Sequence, residues 1–359
     1  MSMRDFYKNK KVFITGHTGF KGSWLTLWLT MMGAKVLGYA LDPNTDPSLF
    51  NVLNLHKDID HVIGDIRNFE KLREVITEFK PEIVFHLAAQ PLVRLSYKEP
   101  RLTYETNVMG TVNLLEAIRQ TKSVRAVLNV TSDKCYENKE WVWGYREIDP
   151  MGGYDPYSSS KGCSELITAA YRNSYFKNSE TAIASARAGN VIGGGDWAED
   201  RLIPDIVRSL SQGKQIIIRN PKATRPWQHV LEPLSGYLLL GKLLYEKGQE
   251  FAEAWNFGPS DSSTMTVEEI VKKSIEIWGS GSYIVNSSER PHEANLLKLD
   301  VSKSFMRFRW SPQLDYSQTL QKTISWYREH YESSPEIARL SKRQITEYES
   351  RIFYNCHDS

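Results

Sequence analysis

Cysteine is scarce in this chain of 359 residues, which has three: Cys135, Cys163 and Cys356. An odd and scattered set makes no disulfide framework, and reduced thiols in a cytoplasmic protein are the expectation. A surplus of one charge is also missing, with 45 Lys and Arg against 43 Asp and Glu and no basic run. That balance excludes the footprint of a nucleic-acid binder or of a protein drawn to anionic membranes. No apolar stretch is long enough to span a bilayer; the most apolar, around residues 237–245, is interrupted by Lys242. The polar first ten residues carry no signal-peptide pattern. The eight histidines have no zinc-site spacing, and no metal is expected.

What the chain does have is alternation. Residues 10–15 are a strand-like run ending in a glycine turn, 23–32 are apolar without breakers, and 35–40 are a second strand. Strand, turn, helix and strand make a βαβ unit with a right-handed crossover. The pattern goes on with a strand edge at 61–64, a helix over 68–79, strands at 82–87 and 125–130, helices over 103–120 and 156–176, and a strand at 181–186. The expected fold class is α/β, a Rossmann-type doubly wound parallel sheet. A chain of this length outgrows one core, and after Asn190 the texture becomes Gly- and Pro-rich. A second, smaller substrate-binding lobe is therefore expected. The division would place 1–187 in the dinucleotide domain, with 228–258 returning to it, and 188–227 with 259–359 in the lobe over the carboxyl ends of the strands.

The turn reads Thr-Gly-His-Thr-Gly-Phe-Lys-Gly, residues 15–22. Gly16 allows a sharp turn off the strand, Gly19 lets backbone approach a pyrophosphate, and Gly22 lets the helix pack on the strand. The helix N-terminus adds free N–H donors, so His17, Thr18, Phe20 and Lys21 join the glycines as the candidate dinucleotide turn. No Gly-Lys-Ser/Thr follows, so this is not a Walker loop. Asp42, about twenty residues past Gly22, would accept ribose hydroxyls and repel a 2′-phosphate, favouring NAD over NADP, with Asp46 as the fallback.

Tyr157 and Lys161 stand four residues apart behind Asp155, a good N-cap, and Pro156, a good first helical residue. They therefore share a helix face. A phenol of pKa near 10 has to accept a proton near pH 7, a gap of roughly 4 kcal/mol. A lysine ammonium one turn away and a positive nicotinamide ring would supply most of it. Ser132, Asp133 and Lys134 follow directly on the strand 125–130 and add a hydroxyl, a carboxyl and an amine at its carboxyl end. So many proton-handling groups beside one cofactor suggest more than alcohol oxidation.

These strings, with His-Leu-Ala-Ala-Gln-Pro (86–91), Thr-Ser-Asp-Lys-Cys-Tyr (131–136), Arg-Ala-Gly-Asn-Val-Ile-Gly-Gly-Gly-Asp-Trp (187–197) and Arg-Pro-Trp-Gln-His-Val (225–230), resemble the extended short-chain dehydrogenase/reductases that act on nucleotide sugars. Within them the likeness is to the 4,6-dehydratases, over about residues 11–300. The resemblance implies NAD-dependent loss of water from a nucleotide sugar, CDP-glucose, with no net redox change. Tyr157 would take the proton of the 4-hydroxyl, Ser132 would hydrogen-bond that oxygen, and Lys161 would hold the nicotinamide ribose and depress the tyrosine. Asp133 would be the general acid at the 6-hydroxyl. Lys134 stands where the dTDP- and GDP-sugar enzymes carry glutamate, and would be the C5 base or a cation stabilising the enolate, the first being favoured.

By the same resemblance Asp65 and Ile66 would contact adenine, and Leu87, Ala88, Ala89 and Thr106 would line the cofactor channel. Asn190, Arg201, Arg225 and Arg290, with Gln90 and His292, would hold the diphosphate and nucleoside, bordered by Trp197 and Trp227. The helices 103–120 and 156–176 would join two subunits as a four-helix bundle, giving a homodimer, with assembly into a dimer of dimers left open. A nucleotide-sugar 4-epimerase is the nearest alternative, disfavoured by the Asp133–Lys134 pair. A non-catalytic NAD-sensing regulator is another, disfavoured by the intact Tyr157–Lys161 pair.

Overall fold

The computed structural model describes residues 2–260, 264–286, 297–332 and 336–354. The strands up to residue 188 are β1 (Lys11–Thr15), β2 (Lys35–Ala40), β3 (Asp60–Ile63), β4 (Ile83–His86), β5 (Ala126–Val130) and β6 (Ala182–Ala188). Then come β7 (Asn190–Ile192), β8 (Ile216–Ile218), β9 (Thr224–His229), β10 (Ala254–Phe257), β11 (Thr264–Thr266) and β12 (Tyr283–Val285). Seven of them form one parallel sheet in the order β10-β6-β5-β4-β1-β2-β3. The order reverses between β1 and β4, whose neighbours lie on opposite sides, and a crevice opens there at the carboxyl ends.

Alternation along β1 shows how the sequence builds two helical layers. Val12 and Ile14 face a core with Trp24 and Trp28 of the helix Phe20–Met31, while Phe13 faces another with Leu72, Leu114 and Ile118. Both faces are covered, so β5 and β6 are buried at every position.

The helix expected over 103–120 is interrupted. It runs as Pro100–Tyr104, a wide turn at Glu105–Met109 with i→i+5 geometry, and Gly110–Arg119. The extra residue turns Asn107 inward, where its amide donates to Gln90 O (3.1 Å) and Ser160 Oγ (2.9 Å). The helix expected over 156–176 likewise ends in such a turn, Arg172–Phe176, after Pro156–Tyr171.

Beyond Ala188 the strands β11, β9 and β7 form a small separate sheet, and β8 pairs with β12. β10 returns to the edge of the main sheet beside β6. The helix Ile337–Tyr354, grouped with the second lobe on sequence, packs on the helix Tyr316–Glu332, where Trp326 Nε1 donates to Ser341 Oγ at 2.8 Å. It also reaches Phe20–Met31: Trp28 Nε1 donates to Glu349 at 2.8 Å and Arg4 pairs with the same carboxylate. Among the described residues no helix is long and apolar enough to cross a membrane.

Candidate active site

The glycine turn leaves β1 at the switch point, and its three glycines do different work. Gly16 has φ +77°, and a Cβ there would lie 2.7 Å from Ala88 N, the backbone that follows β4. A Cβ on Gly22 would lie 2.1 Å from Gly16 O, so the helix can start only with hydrogen at that position. Gly19, by contrast, is exposed, and a Cβ would meet only Gly16 O at 3.4 Å. It caps the helix without a side-chain hydrogen bond, and so leaves first-turn N–H donors facing open space. A backbone cradle of this shape at a helix N-terminus fits a dinucleotide pyrophosphate.

Thr18 Oγ1 donates to Leu41 O (2.9 Å) and ties the turn to the end of β2, next to the exposed Asp42. The side chain of His17 packs inside the fold. Its ring is fully buried, edge-on to Phe50 (5.1 Å) and His61 (5.7 Å), in the space a Cβ on Gly38 would occupy. Burial holds it down to about 4, so it is a neutral wedge between turn and β2, and only its backbone belongs to the cradle. Phe20 is half-buried and packs on the core.

Asp65, at the carboxyl end beyond β3, borders an open cleft of about 490 Å³ with Arg67, Asn68, Glu105, Met109 and Asn113. Its carboxylate is taken by Arg67, whose Nε lies 3.0 Å from both oxygens and holds the acid below its usual range. Ile66 turns its side chain inward under Gly110. An adenine in this cleft would meet the Asp65–Ile66 backbone and Met109 rather than a free carboxylate. Leu87, Ala88 and Ala89 are half-buried directly after β4, and Thr106 sits in the wide turn Glu105–Met109.

The chemistry converges at the end of β5. Ser132 caps a short turn, Asp133–Cys135, accepting from Lys134 N (3.2 Å) and donating to Asp133 Oδ1 (2.9 Å). Asp133 is buried, and burial raises its pKa against the opposing pull of Lys134, Ser132 and Lys21. Gly189 makes room for that carboxyl: a Cβ there would lie 3.2 Å from Oδ2. Lys134 is half-buried.

Tyr157 enters from the opposite wall. Asp155 caps its helix by accepting from Ser158 N (2.9 Å), Pro156 occupies the first turn, and Tyr157 N donates to Ser96 Oγ (3.1 Å). Burial pushes the phenol up to about 12, while a hydrogen bond with Ser132 and the charge of Arg201 pull it down. Arg201 is thus a cation acting on Tyr157 that the sequence did not single out for that role. Lys161 Nζ turns instead to Val130 O (3.3 Å), and burial brings it down to about 8. Lys21, read on sequence as one more residue of the turn, sends its ammonium into the same centre, 6.0 Å from the Tyr237 ring. Burial, then Lys161 and Arg201, bring it down to about 8, and Asp133 opposes them.

The remaining expected contacts divide. Arg201 is held by Asp196 (2.7 Å) at the start of the helix Leu202–Ser211, and Asn190 opens β7 opposite Trp227. Gln90 braces the loop after β4: its amide donates to Leu92 O and Thr103 Oγ1, and its oxygen accepts from Leu92 N. Trp197 is a core residue against Trp326 and Tyr327. The side chain of Arg225, and Arg290 and His292 entirely, lie outside the described residues.

The profile of the family described as GDP-mannose 4,6 dehydratase matches residues 13–323. The chain belongs to that family. It is 57% identical over 353 residues to the CDP-glucose 4,6-dehydratase of Salmonella typhimurium, covering 97% of this chain and 98% of that protein. It is 25% identical to the CDP-paratose 2-epimerase of Salmonella typhi, over 88% of this chain and 98% of the other. Among solved structures, the dTDP-glucose 4,6-dehydratase of Bacillus anthracis in complex with NAD superposes with a TM-score of 0.73 at 24% identity, covering 90% of this chain and 98% of that one. The dTDP-glucose 4,6-dehydratase of Streptomyces venezuelae, also with NAD, gives 0.76 at 24% identity, over 89% and 97%. Those two likenesses speak for the fold.

Proposed function

We propose that this family member is an NAD-dependent lyase that converts CDP-glucose to CDP-4-keto-6-deoxyglucose. The observation that carries the reading is the meeting of Ser132, Asp133 and Lys134 with Tyr157 beside the glycine cradle. The 57% identity to the Salmonella enzyme supports the choice of CDP-glucose among nucleotide sugars. When bound, NAD supplies the hydride acceptor at C4 and the donor at C6, and its oxidised ring adds positive charge to the site.

The residues then divide the proton work. Tyr157 takes the proton of the 4-hydroxyl, with Ser132 holding the same oxygen, and passes it to solvent, since that oxygen stays a ketone in the product; this balances the proton that Asp133 gives up. Lys134 removes the C5 proton, which a 4-ketone acidifies. Asp133, its pKa raised by burial, retains a proton for the departing 6-hydroxyl, and water leaves. Arg201, fixed by Asp196, suits the diphosphate, and Asn190, at the start of β7, would border the nucleoside. Asp42 would take the adenosine ribose. Residues 1–187 with 228–258 make the dinucleotide domain, and the rest of 188–359 mainly the nucleotide-sugar lobe.

The deciding assay is CDP-glucose with NAD, followed by alkali to reveal the chromophore of a 4-keto-6-deoxy sugar. UDP-, dTDP- and GDP-glucose run in parallel set the nucleobase preference. Formation of the C4 epimer, or no turnover of any of the four, overturns the reading. Lys134→Met is expected to lower exchange of the C5 proton with solvent deuterium by about 100-fold. Undiminished exchange would assign the base to another residue. Lys161 gives a pH limb: its ammonium is lost as pH rises through about 8, so kcat should fall from there, well before the ordinary lysine value of 10.5.

The setting proposed is cytoplasmic biosynthesis of a dideoxysugar for surface polysaccharide such as lipopolysaccharide O-antigen. A homodimer through the segments 103–120 and 156–176 is supported by the exposed Leu166 and Tyr175 of the second of them.

A further inference from the structure

Glu165 lies one turn past Lys161 on the helix Pro156–Tyr171 and carries a carboxylate into the interior, 3% exposed. Three donors from two strand ends close on it. Arg187 Nη2 and Ser185 Oγ, both of β6, lie at 2.7 Å, and Thr131 Oγ1, directly after β5, completes the set. Arg187 also donates to Tyr136 Oη (2.7 Å) and Glu147 O (3.1 Å), and Tyr136 donates to Asn256 of β10 (2.8 Å). A buried ion pair of this kind adds little net stability, because desolvation offsets the attraction and apolar substitutes often do as well. Its position gives it another use. Val130, whose carbonyl accepts from Lys161, and Thr131, held by Glu165, are the two residues before Ser132.

We propose that Glu165 is a positioning residue that supplies the buried negative charge under the Lys161 ammonium and pins, through Thr131, the turn carrying Ser132, Asp133 and Lys134. The charged and titratable groups acting on or around Lys161 come from four elements. Glu165 is on its own helix, Lys21 is on the helix Phe20–Met31, Cys135 is on the turn after β5, and His86 ends β4. Lys21 is a like charge. Burial keeps His86 neutral, down to about 3, and pushes the Cys135 thiol well up, so that neither carries charge near pH 7. Among the described residues Glu165 is thus the ionised anion that favours the ammonium. Its own neighbours, Arg187 and Arg172, with the Thr131 and Ser185 hydroxyls, keep it ionised: its pKa lies below the ordinary value despite burial.

The test is the alkaline limb of kcat for CDP-glucose in wild type and in Glu165→Gln, with KM and the NAD dissociation constant from tryptophan fluorescence. Glu165→Gln strands Arg187 and can fail to fold, so the double variant Glu165→Gln/Arg187→Met, which removes the stranded guanidinium, is measured beside it. Both are expected to move the limb at least about one pH unit downward and to lower kcat at pH 7.5 about tenfold, with partial recovery toward pH 6. KM and NAD affinity should stay within about threefold. A double variant with a wild-type limb, or one whose loss lies in KM and is cured by cooling, overturns the proposal. The inference rests on Lys161 belonging to the proton-handling site; a wild-type rate with no fall near pH 8 would defeat that reading instead.

Discussion

Tyr157→Phe removes one oxygen and is expected to lower kcat by about 10³-fold, within the 10²–10⁴ range of general acid–base catalysis. The loss should fall on kcat because the rest of the side chain is held independently of the hydroxyl. The ring is buried, its backbone N–H is fixed by Ser96 Oγ, and Asp155 and Pro156 start the helix without it. What disappears is the group that Ser132 reaches and on which the Arg201 charge acts. KM, NAD affinity and the melting temperature should remain near wild type. Without coenzyme the phenol is pushed up to about 12, so in the free protein it stays protonated through neutral pH. A phenolate absorbance in the apoprotein below pH 9, or a Phe variant with undiminished turnover, would end the assignment.

Local spacing is what made this much legible. The capping of Tyr157 by Asp155 and Pro156, the turn at Gly16, and the strand runs of β1 to β6 are all written within a few residues of where they act, and the structure places them as the sequence reads. The unread parts are contacts between distant residues. Nothing near Lys161 says that Arg187 will neutralise Glu165 from the following strand, β6, and nothing near Gly16 says that Phe50 and Gly38 will enclose His17. Gln90 sits in a string shared with the family, yet its amide is consumed by Thr103 and Leu92, partners set by the interrupted helix that apolar periodicity did not reveal. Lys21 is the instructive case. In a glycine turn it reads as backbone, but the first helical turn points its ammonium at Asp133 and Lys161, and a charged residue in an otherwise small and apolar turn was the available signal.

The second large effect separates the roles of two glycines in that turn. Gly22→Ala puts a methyl 2.1 Å from Gly16 O, backbone against backbone, where no rotamer relieves it. The helix Phe20–Met31 must shift away from β1, at a cost of roughly 1–3 kcal/mol or more, so this variant should melt earlier and lose NAD together. Gly19→Ala meets nothing closer than 3.4 Å, and its φ of −78° suits any residue. Alanine is a poorer N-cap than glycine, which costs about 1 kcal/mol or less, so the fold should survive with a small drop in melting temperature. The new methyl nonetheless projects into the open mouth of the cradle, where a pyrophosphate has to approach the backbone. NAD affinity should fall at least about tenfold, a loss of ~1.4 kcal/mol or more, in a protein whose circular dichroism is unchanged. Calorimetric titration of both variants beside their melting curves decides the matter. If Gly19→Ala binds NAD as wild type does, the pyrophosphate lies elsewhere, and the proton-handling groups at the end of β5 lose the neighbour that gives them their chemistry.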